Sequence, residues 1–429
     1  MVRLLVFVWI ASGLCALGIA GGCADSTDEA AQNRRESRMS ELVRRVKETP
    51  FPRIGTTWHA VRGDRSDASY LRHDLLINGP WWYGLRYESK EGDIPEGFTA
   101  ESVEQATKRV AAIRMLCPNA ILIASIAFFE SDGLPADHPW YLRYDEKLHK
   151  PQWWYKKEEG GDRVQFWPGT YRMDLANPDY RARIIQQMSG LKGVGIDGVF
   201  IDNLGLAGMA LRSGVDERDA WIGFFKGIRE ACGDEFLIIA NGGLLTPWAA
   251  PYLNGLMYEG FGHGPDTDWD DVISQLQEIE EVQPEPRINY IERFERTGDD
   301  DGWPGDPERG LPPQQRDAAA RRWSMALSLT VGDYYYLFAD STHHAHDWYS
   351  EYDRKIGLPL AAGERANSHV WRREYEKALV VVNLPGAAEP YEVEVEKPAL
   401  DSFTGERGTR FTIPPGDGRI LIRIDELKS

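Results

Sequence analysis

Positive charge is what this sequence has least of. Its 49 Lys and Arg face 67 Asp and Glu, a formal charge of −18 over 429 residues. No basic block offsets that deficit, and phosphate binding needs a concentrated positive field, so nucleic acid is excluded as a partner. Cysteine is scarce too. Cys15, Cys23, Cys117 and Cys232 are the four, with no CxxC and no zinc-ligand spacing. Cys117 and Cys232 close two different expected helices and read as small buried thiols rather than a disulfide. No P-loop and no G-x-S-x-G occurs, so nucleotide cofactors and serine-hydrolase chemistry gain no support, and no cofactor is expected. Internal repeats and low-complexity tracts are absent as well.

What is present is an ordinary globular composition, 42% hydrophobic, 11% aromatic and 27% charged, with an unusual 15 Trp. The start is an address. MVR leads into the apolar run Leu4 to Ala20 and then Ala20-Gly21-Gly22-Cys23. A basic start, a short apolar core and small residues describe a secretory signal, too short for a spanning helix. A Cys directly after two small residues is similar to a bacterial lipobox, with Cys23 as the lipidated residue. The expectation is an exported protein, held to the cell envelope by that lipid or else secreted or periplasmic, with no other membrane contact. Loss of 1–22 would remove one Arg and no acid, leaving the remainder more acidic still. Residues 24–50 read as a polar tether and an N-terminal helix.

From 51 to 358 strand-length apolar runs alternate with helical patterns. The strands are expected at Ile54–Trp58, Asp74–Asn78, Ala120–Ala127, Gly198–Asp202, Phe236–Ala240, Gly255–Glu259, Arg287–Glu292 and Tyr334–Phe338. They are near-continuously apolar, as buried parallel strands are. Helical stripes lie between them: Val103, Ala106, Val110, Ile113 and Cys117 form one, and Trp269, Val272, Ile273, Leu276 and Ile279 another. Asn177-Pro178 is a helix start signal. Eight such units predict an α/β protein with a (β/α)8 barrel. The stretch Glu130 to Thr170, with WYLRY, QWWYKK and FWPG, is too long for a plain connection and reads as an aromatic loop on the active face. Residues 359–429 change character to short strands with Gly, Pro and Asp turns, an antiparallel β-sandwich domain.

In such a barrel the chemistry sits where the strands end. Polar residues close nearly every run: Trp58-His59, Asn78, Glu130, Asp202-Asn203, Asn241, Glu259, Glu292 and Asp340. Asp202 ends the strand inside GIDGVFIDNLG, whereas Asp197, ahead of it, belongs at the opposite end in a structural role. Glu259 ends strand six inside GLMYEGFGHG. Two carboxylates across a barrel mouth are what glycosidic cleavage needs, one to protonate the leaving oxygen and one to attack the anomeric carbon or activate water. Trp58, Trp81, Trp82, Tyr258 and Phe261 could offer apolar faces to sugar rings. His59, Asn78, Asn203, Asn241 and Glu292 are further substrate-binding candidates. Asp174 either binds sugar or sets up the following helix.

GIDGVFIDN, then ANGG at Ala240–Gly243, then YEGF, in that order and spacing, resemble the glycosyl-hydrolase-like family numbered fifteen. They are also similar to the endo-α-1,4-polygalactosaminidases and, more distantly, to the α-galactosidase clan. MDLANPDYR at 173–181 fits the same pattern, and WRREYEKALVVVNLP, DSFTGE and IPPGDGRILI carry it into the C-terminal module, so it spans most of 54–424. The resemblance implies a barrel, an Asp after strand four, an acid after strand six and a polysaccharide substrate. By the α-galactosidase-like pattern it implies Asp202 as nucleophile and Glu259 as acid/base.

The expected function is therefore hydrolysis of O-glycosidic bonds in a poly- or oligosaccharide by a carboxylate pair. The alternative is a sugar-binding protein on a glycosidase-like barrel that performs no catalysis. HHAH at His343–His346 raises a metal-dependent hydrolase, but without HExxH or a partner Cys it reads as a polar loop with one His able to reach the cleft, and no metal is expected. Asp299–Gly302 lacks the register of a calcium loop and reads as a solvated acidic turn. The net charge favours a neutral or cationic glycan.

Overall fold

The computed structural model describes residues 39, 41–88, 97–126, 129–131, 170–172, 174–204, 217–262, 267–295, 313–341 and 343–425. The signal-like segment with Cys23, the tether, the interior of the aromatic loop and the Asp299–Gly302 turn lie outside them.

Eight parallel strands close into a barrel. They are β1 (Arg53–Thr57), β2 (Leu75–Asn78), β3 (Ile121–Ser125), β4 (Gly198–Ile201), β5 (Leu237–Asn241), β6 (Gly255–Tyr258), β7 (Tyr290–Phe294) and β8 (Tyr335–Ala339). Each neighbours the next, and β1 closes on β8 through Arg53 opposite Tyr335 and Ile54 opposite Tyr336. Nearly every strand residue is buried, as continuously apolar runs require when both faces are covered. Gly55 is needed inside: a Cβ there would stand 2.7 Å from the Tyr290 ring, which fills the interior beneath the mouth. Gly193, Gly195 and Gly198 have dinucleotide-loop spacing. They run from helix into strand, however, the reverse of the order that presents a helix N-terminus to phosphate.

The outer layer contains α1 (Ala100–Leu116), α2 (Pro178–Gly193), α3 (Glu217–Cys232), α4 (Trp269–Val282) and α5 (Pro313–Val331). The expected stripes face inward: Ala106, Val110 and Ile113 on α1, and Trp269, Ile273, Leu276 and Ile279 on α4. Asn177 caps α2, accepting from the Asp179 N–H at 3.0 Å, with Pro178 at the first turn. Between β5 and β6 the chain makes only 3₁₀ turns, where Pro247 and Pro251 forbid a longer helix. Phe129–Ser131 pairs antiparallel with Thr170–Arg172, so the two ends of the aromatic loop are tied together.

Asp197 lies at the opposite end from the mouth, buried. It accepts from Arg45 at 2.9 and 3.1 Å, from the Leu122 N–H at 2.9 Å and from Arg114. It thereby ties the helical stretch 41–48 and α1 to the barrel floor. Cys117 and Cys232 are free thiols at the ends of α1 and α3.

The C-terminal strands are β9 (Glu364–Arg365), β10 (Val370–Glu374), β11 (Ala378–Asn383), β12 (Tyr391–Asp401), β13 (Arg407–Ile413) and β14 (Asp417–Arg423). They form one antiparallel sheet in the order β9-β10-β11-β14-β12-β13. The strands expected at Tyr391–Val395 and Ala399–Phe403 are a single long β12, with a register shift between Glu394 and Ala399. Alternation divides the faces. Val380, Val382, Ile420 and Ile422 join the core of the barrel domain, while Val370, Val381, Val393, Phe411, Ile413 and Leu421 form a second cluster. The Arg322–Asp417 fork at 2.7 and 2.9 Å and the Tyr375 hydroxyl, donating to the Leu329 carbonyl at 2.7 Å, fasten this sheet to α5.

Candidate active site

Val199, Phe200 and Ile201 carry β4 through the core, and Asp202 is the first residue beyond it. The turn is sharp, with Asn203 in the left-handed region at φ 60°. That turn lets Asn203 serve Asp202 twice: its N–H donates to Oδ1 and its side-chain amide to Oδ2, both at 2.8 Å. Burial pushes the Asp202 carboxyl up to about 6, with the charge of Glu259 adding to the rise and the amide of Asn241 opposing it.

Glu259 follows β6 in the same way and stays open to solvent. Asn241, the last residue of β5, stands between the two acids. Its Nδ2 donates to Asp202 Oδ1 at 3.0 Å and to Glu259 Oε2 at 2.5 Å. Carboxylates only accept, so an amide facing two of them must present its NH2. The two bonds together bound the distance between those oxygens at 5.5 Å. Partial enclosure holds Glu259 above its ordinary range. His344 pulls it down, Glu292 pushes it up and Asn241 pulls it down.

A cation completes the mouth. His344 Nδ1 lies 2.9 Å from Glu292 Oε1, and Glu292 is fully buried. Burial alone would strip the imidazole of its proton. The facing carboxylate of Glu292, with Glu259 and Asp202 beyond, instead raises it to about 9. Trp58 packs edge-on to His344, with ring centroids 5.1 Å apart, and to Phe200 at 5.9 Å. Trp58, Asn203 and His344 are the non-glycine residues of positive φ among those described, and all three lie just beyond barrel strands at the mouth. Such backbone is tolerated where the surroundings over-determine it, as at functional sites.

The HHAH segment therefore splits three ways. His343 faces solvent beside Asp340, His344 turns in to Glu292, and His346 is buried with its Nε2 2.9 Å from that of His73. Among the described residues, no three His, Cys, Asp or Glu gather as a metal ion would need. Nothing in the composition announces that His344 is the inward one, because the selection is made by its backbone conformation.

Several expected sugar contacts stand elsewhere. Tyr258 is buried, its ring edge-on to Phe261 at 6.3 Å and Tyr334 at 6.1 Å. Strand alternation sends Glu259 into the mouth and its neighbour Tyr258 toward the helices. Phe261 is likewise buried, against Trp269 at 5.9 Å. Glu292 does not end its strand; β7 continues to Phe294, and the carboxylate lies beneath the surface, paired with His344. Asp174 is buried and accepts the Ala176 N–H at 2.9 Å, three residues ahead of the Asn177 cap. Asn78 is buried, its Oδ1 accepting from the Gly79 N–H at 2.9 Å. Trp82 is a buried wall, packed on Tyr70 at 5.1 Å with Arg109 over its face at 4.7 Å. Trp58, His59 and Trp81 do line the open cleft, which has a volume of about 550 Å³. Burial lowers the His59 pKa, with the neighbouring His344 adding to the fall, so its ring is neutral at pH 7.

The sequence pattern described as hypothetical glycosyl hydrolase family 15 matches residues 127–379. No curated protein matches the sequence. Among solved structures, a GH27 β-L-arabinopyranosidase from Geobacillus stearothermophilus is similar at 12% identity, over 89% of this chain and 98% of that one, with a TM-score of 0.49. The glycoside hydrolase domain of PelA from Pseudomonas aeruginosa is similar at 16% identity, over 69% and 97%, with a TM-score of 0.40. The cyclic α-maltosyl-(1→6)-maltose hydrolase of Arthrobacter globiformis is similar at 12% identity, over 82% and 87%, with a TM-score of 0.45.

Proposed function

The chain belongs to the hypothetical glycosyl hydrolase family 15, and from that premise we propose that it hydrolyses O-glycosidic bonds of a poly- or oligosaccharide with Asp202 and Glu259. The observation that carries this reading is the amide of Asn241 holding both carboxylates from one nitrogen. Asp202 Oδ1 and Glu259 Oε2 lie within 5.5 Å of each other, which suits the retaining course, where the two carboxyls stand about 5–5.5 Å apart.

Asp202 accepts three N–H bonds, which favour its anion, and takes the role of nucleophile. Glu259 accepts one such bond and stands near the negative charge of Glu292, which favours its acid form, and it takes the role of proton donor. In the first step an Asp202 oxygen bonds to the anomeric carbon as the glycosidic bond breaks, and Glu259 gives its proton to the departing oxygen. In the second, Glu259 takes a proton from water, whose oxygen attacks the same carbon and frees Asp202. We propose likewise that residues 1–23 direct export and that Cys23 accepts a lipid.

The test is reducing-end release from a panel of glycans, with Asp202→Asn and Glu259→Gln in parallel. Release from one polymer, lost by a factor of about 10²–10⁴ in each variant, is the expected result. Binding of a glycan with no product would leave a sugar-binding protein in place of an enzyme.

A further inference from the structure

We propose that the glycan carries an anionic group, a uronate carboxylate or a sulfate ester, which Arg65 receives in the cleft beside the carboxylate pair. This rests on the glycosidase reading above and runs against what the net charge alone suggests.

The cleft opens beyond β1 and β2, between Trp58, Arg65, Tyr70, Trp81, Trp82 and Arg109. It adjoins the candidate active site at Trp58, which lines the cleft and packs edge-on to His344. Trp81, 37% exposed, lines it as well.

Charge in the cleft is opposite in sign to that of the chain. Arg109 is committed to Asp67, with both terminal nitrogens bonded at 2.9 and 2.7 Å. The nearby arginines of the same region are committed as well: Arg62 to Glu295 and Asp347, and Arg72 to Asp353. Arg65 has no ion pair or hydrogen bond among the described residues. Its field still reaches inward, bearing on the Tyr70 hydroxyl and the His59 ring. With His59 neutral, the lining keeps one uncompensated positive charge in a chain of −18. Screening confines most of that larger charge's influence to within about 8–10 Å of each group, so the nearest guanidinium dominates what a ligand in the cleft meets. A guanidinium's planar fork matches carboxylate and sulfate oxygens in pairs. Only side-chain freedom has to be lost to form that contact, because no existing ion pair must first be broken.

The experiment is calorimetric binding to the Asp202→Asn variant of the full chain, which cannot turn substrate over. Two matched pairs of probes are used: oligogalacturonate against its methyl ester, and a sulfated against an unsulfated galactan oligomer. Tighter binding of the acidic member of one pair by about tenfold is expected, with the advantage shrinking at 0.5 M salt and disappearing when Arg65→Gln is added. The pair that shows it identifies the anion. Equal binding of both members in both pairs, absence of binding included, overturns the proposal, and so does an advantage that survives Arg65→Gln. Arg65 is exposed, so an unchanged melting temperature shows that Arg65→Gln is folded. Failure of the glycosidase reading looks different: the charge preference would persist while the unmutated protein released no product.

Discussion

The Glu292 carboxylate and the His344 imidazole meet at 2.9 Å in an interior position, where burial without that partner would take the proton from the imidazole. Their mutual pairing makes His344 the fixed positive charge of the mouth, facing Asp202 and Glu259. Replacing His344 by Gln takes a cation away from both acids, so both carboxyls become weaker acids. The acidic limb of a kcat/KM–pH profile is expected to move to higher pH and the alkaline limb to move with it. A profile that only scales down, with its limbs unmoved, would give His344 a purely structural role.

The same pair links stability to pH. The His344 pKa is raised from 6.5 to about 9 on folding. Its contribution is therefore complete below 6.5 and is lost as pH rises through about 9, an effect of about 3 kcal/mol at most. Chemical denaturation between pH 6.5 and 10 should show that decline, and Glu292→Gln should flatten it.

As the proposed nucleophile, Asp202 must be ionised to attack. With its carboxyl at about 6, kcat/KM should fall tenfold for each pH unit well below 6. An acidic limb lying near 4 instead would assign the nucleophile to a different, better solvated group.

Asp202 also lowers stability at neutral pH, because folding raises its pKa from 3.8 to about 6. The cost of keeping it charged is present in full above 6 and gone below 3.8. Asp202→Asn should thus stabilise the fold at pH 7 by about 2–3 kcal/mol while abolishing turnover, with the gain vanishing near pH 3.5. Equal melting temperatures of the two proteins at pH 7 would contradict this.

At the other end of the barrel, Asp197→Ala leaves Arg45 and Arg114 facing one another without their carboxylate. A loss of about 3–5 kcal/mol is expected, with kcat unchanged at temperatures where the variant is folded. Urea unfolding beside turnover measurements separates the two effects.

All eight barrel strands and the antiparallel C-terminal module are legible in the sequence, because burial on both faces writes long apolar runs that no loop imitates. The misplaced strand ends have local causes. The run expected from Arg287 starts at Tyr290, since the Asn289 side chain, held by Gln283, takes the Leu256 N–H that a backbone carbonyl would accept in a regular ladder. The run expected to reach Ala127 stops at Ser125, where its partner Phe200 is near the end of β4. Asp202 and Glu259 could be picked out because acids at the ends of apolar runs are rare. Glu292's burial, Tyr258's outward turn and the inward choice among three histidines could not. Each depends on strand alternation or on one backbone angle, and neither is a property of composition.

The barrel's first and last strands meet along a seam, and Trp58 and His344 face each other across it. During synthesis Asp202, Glu259 and Glu292 all leave the ribosome before His344 does. A chain made only as far as β7 therefore holds three acids without the His344 imidazole that balances them, on a cylinder still lacking its eighth stave. Synthesis must pass residue 344 before the mouth can be assembled, so a chain cut short of that point lacks the cation beside its acids.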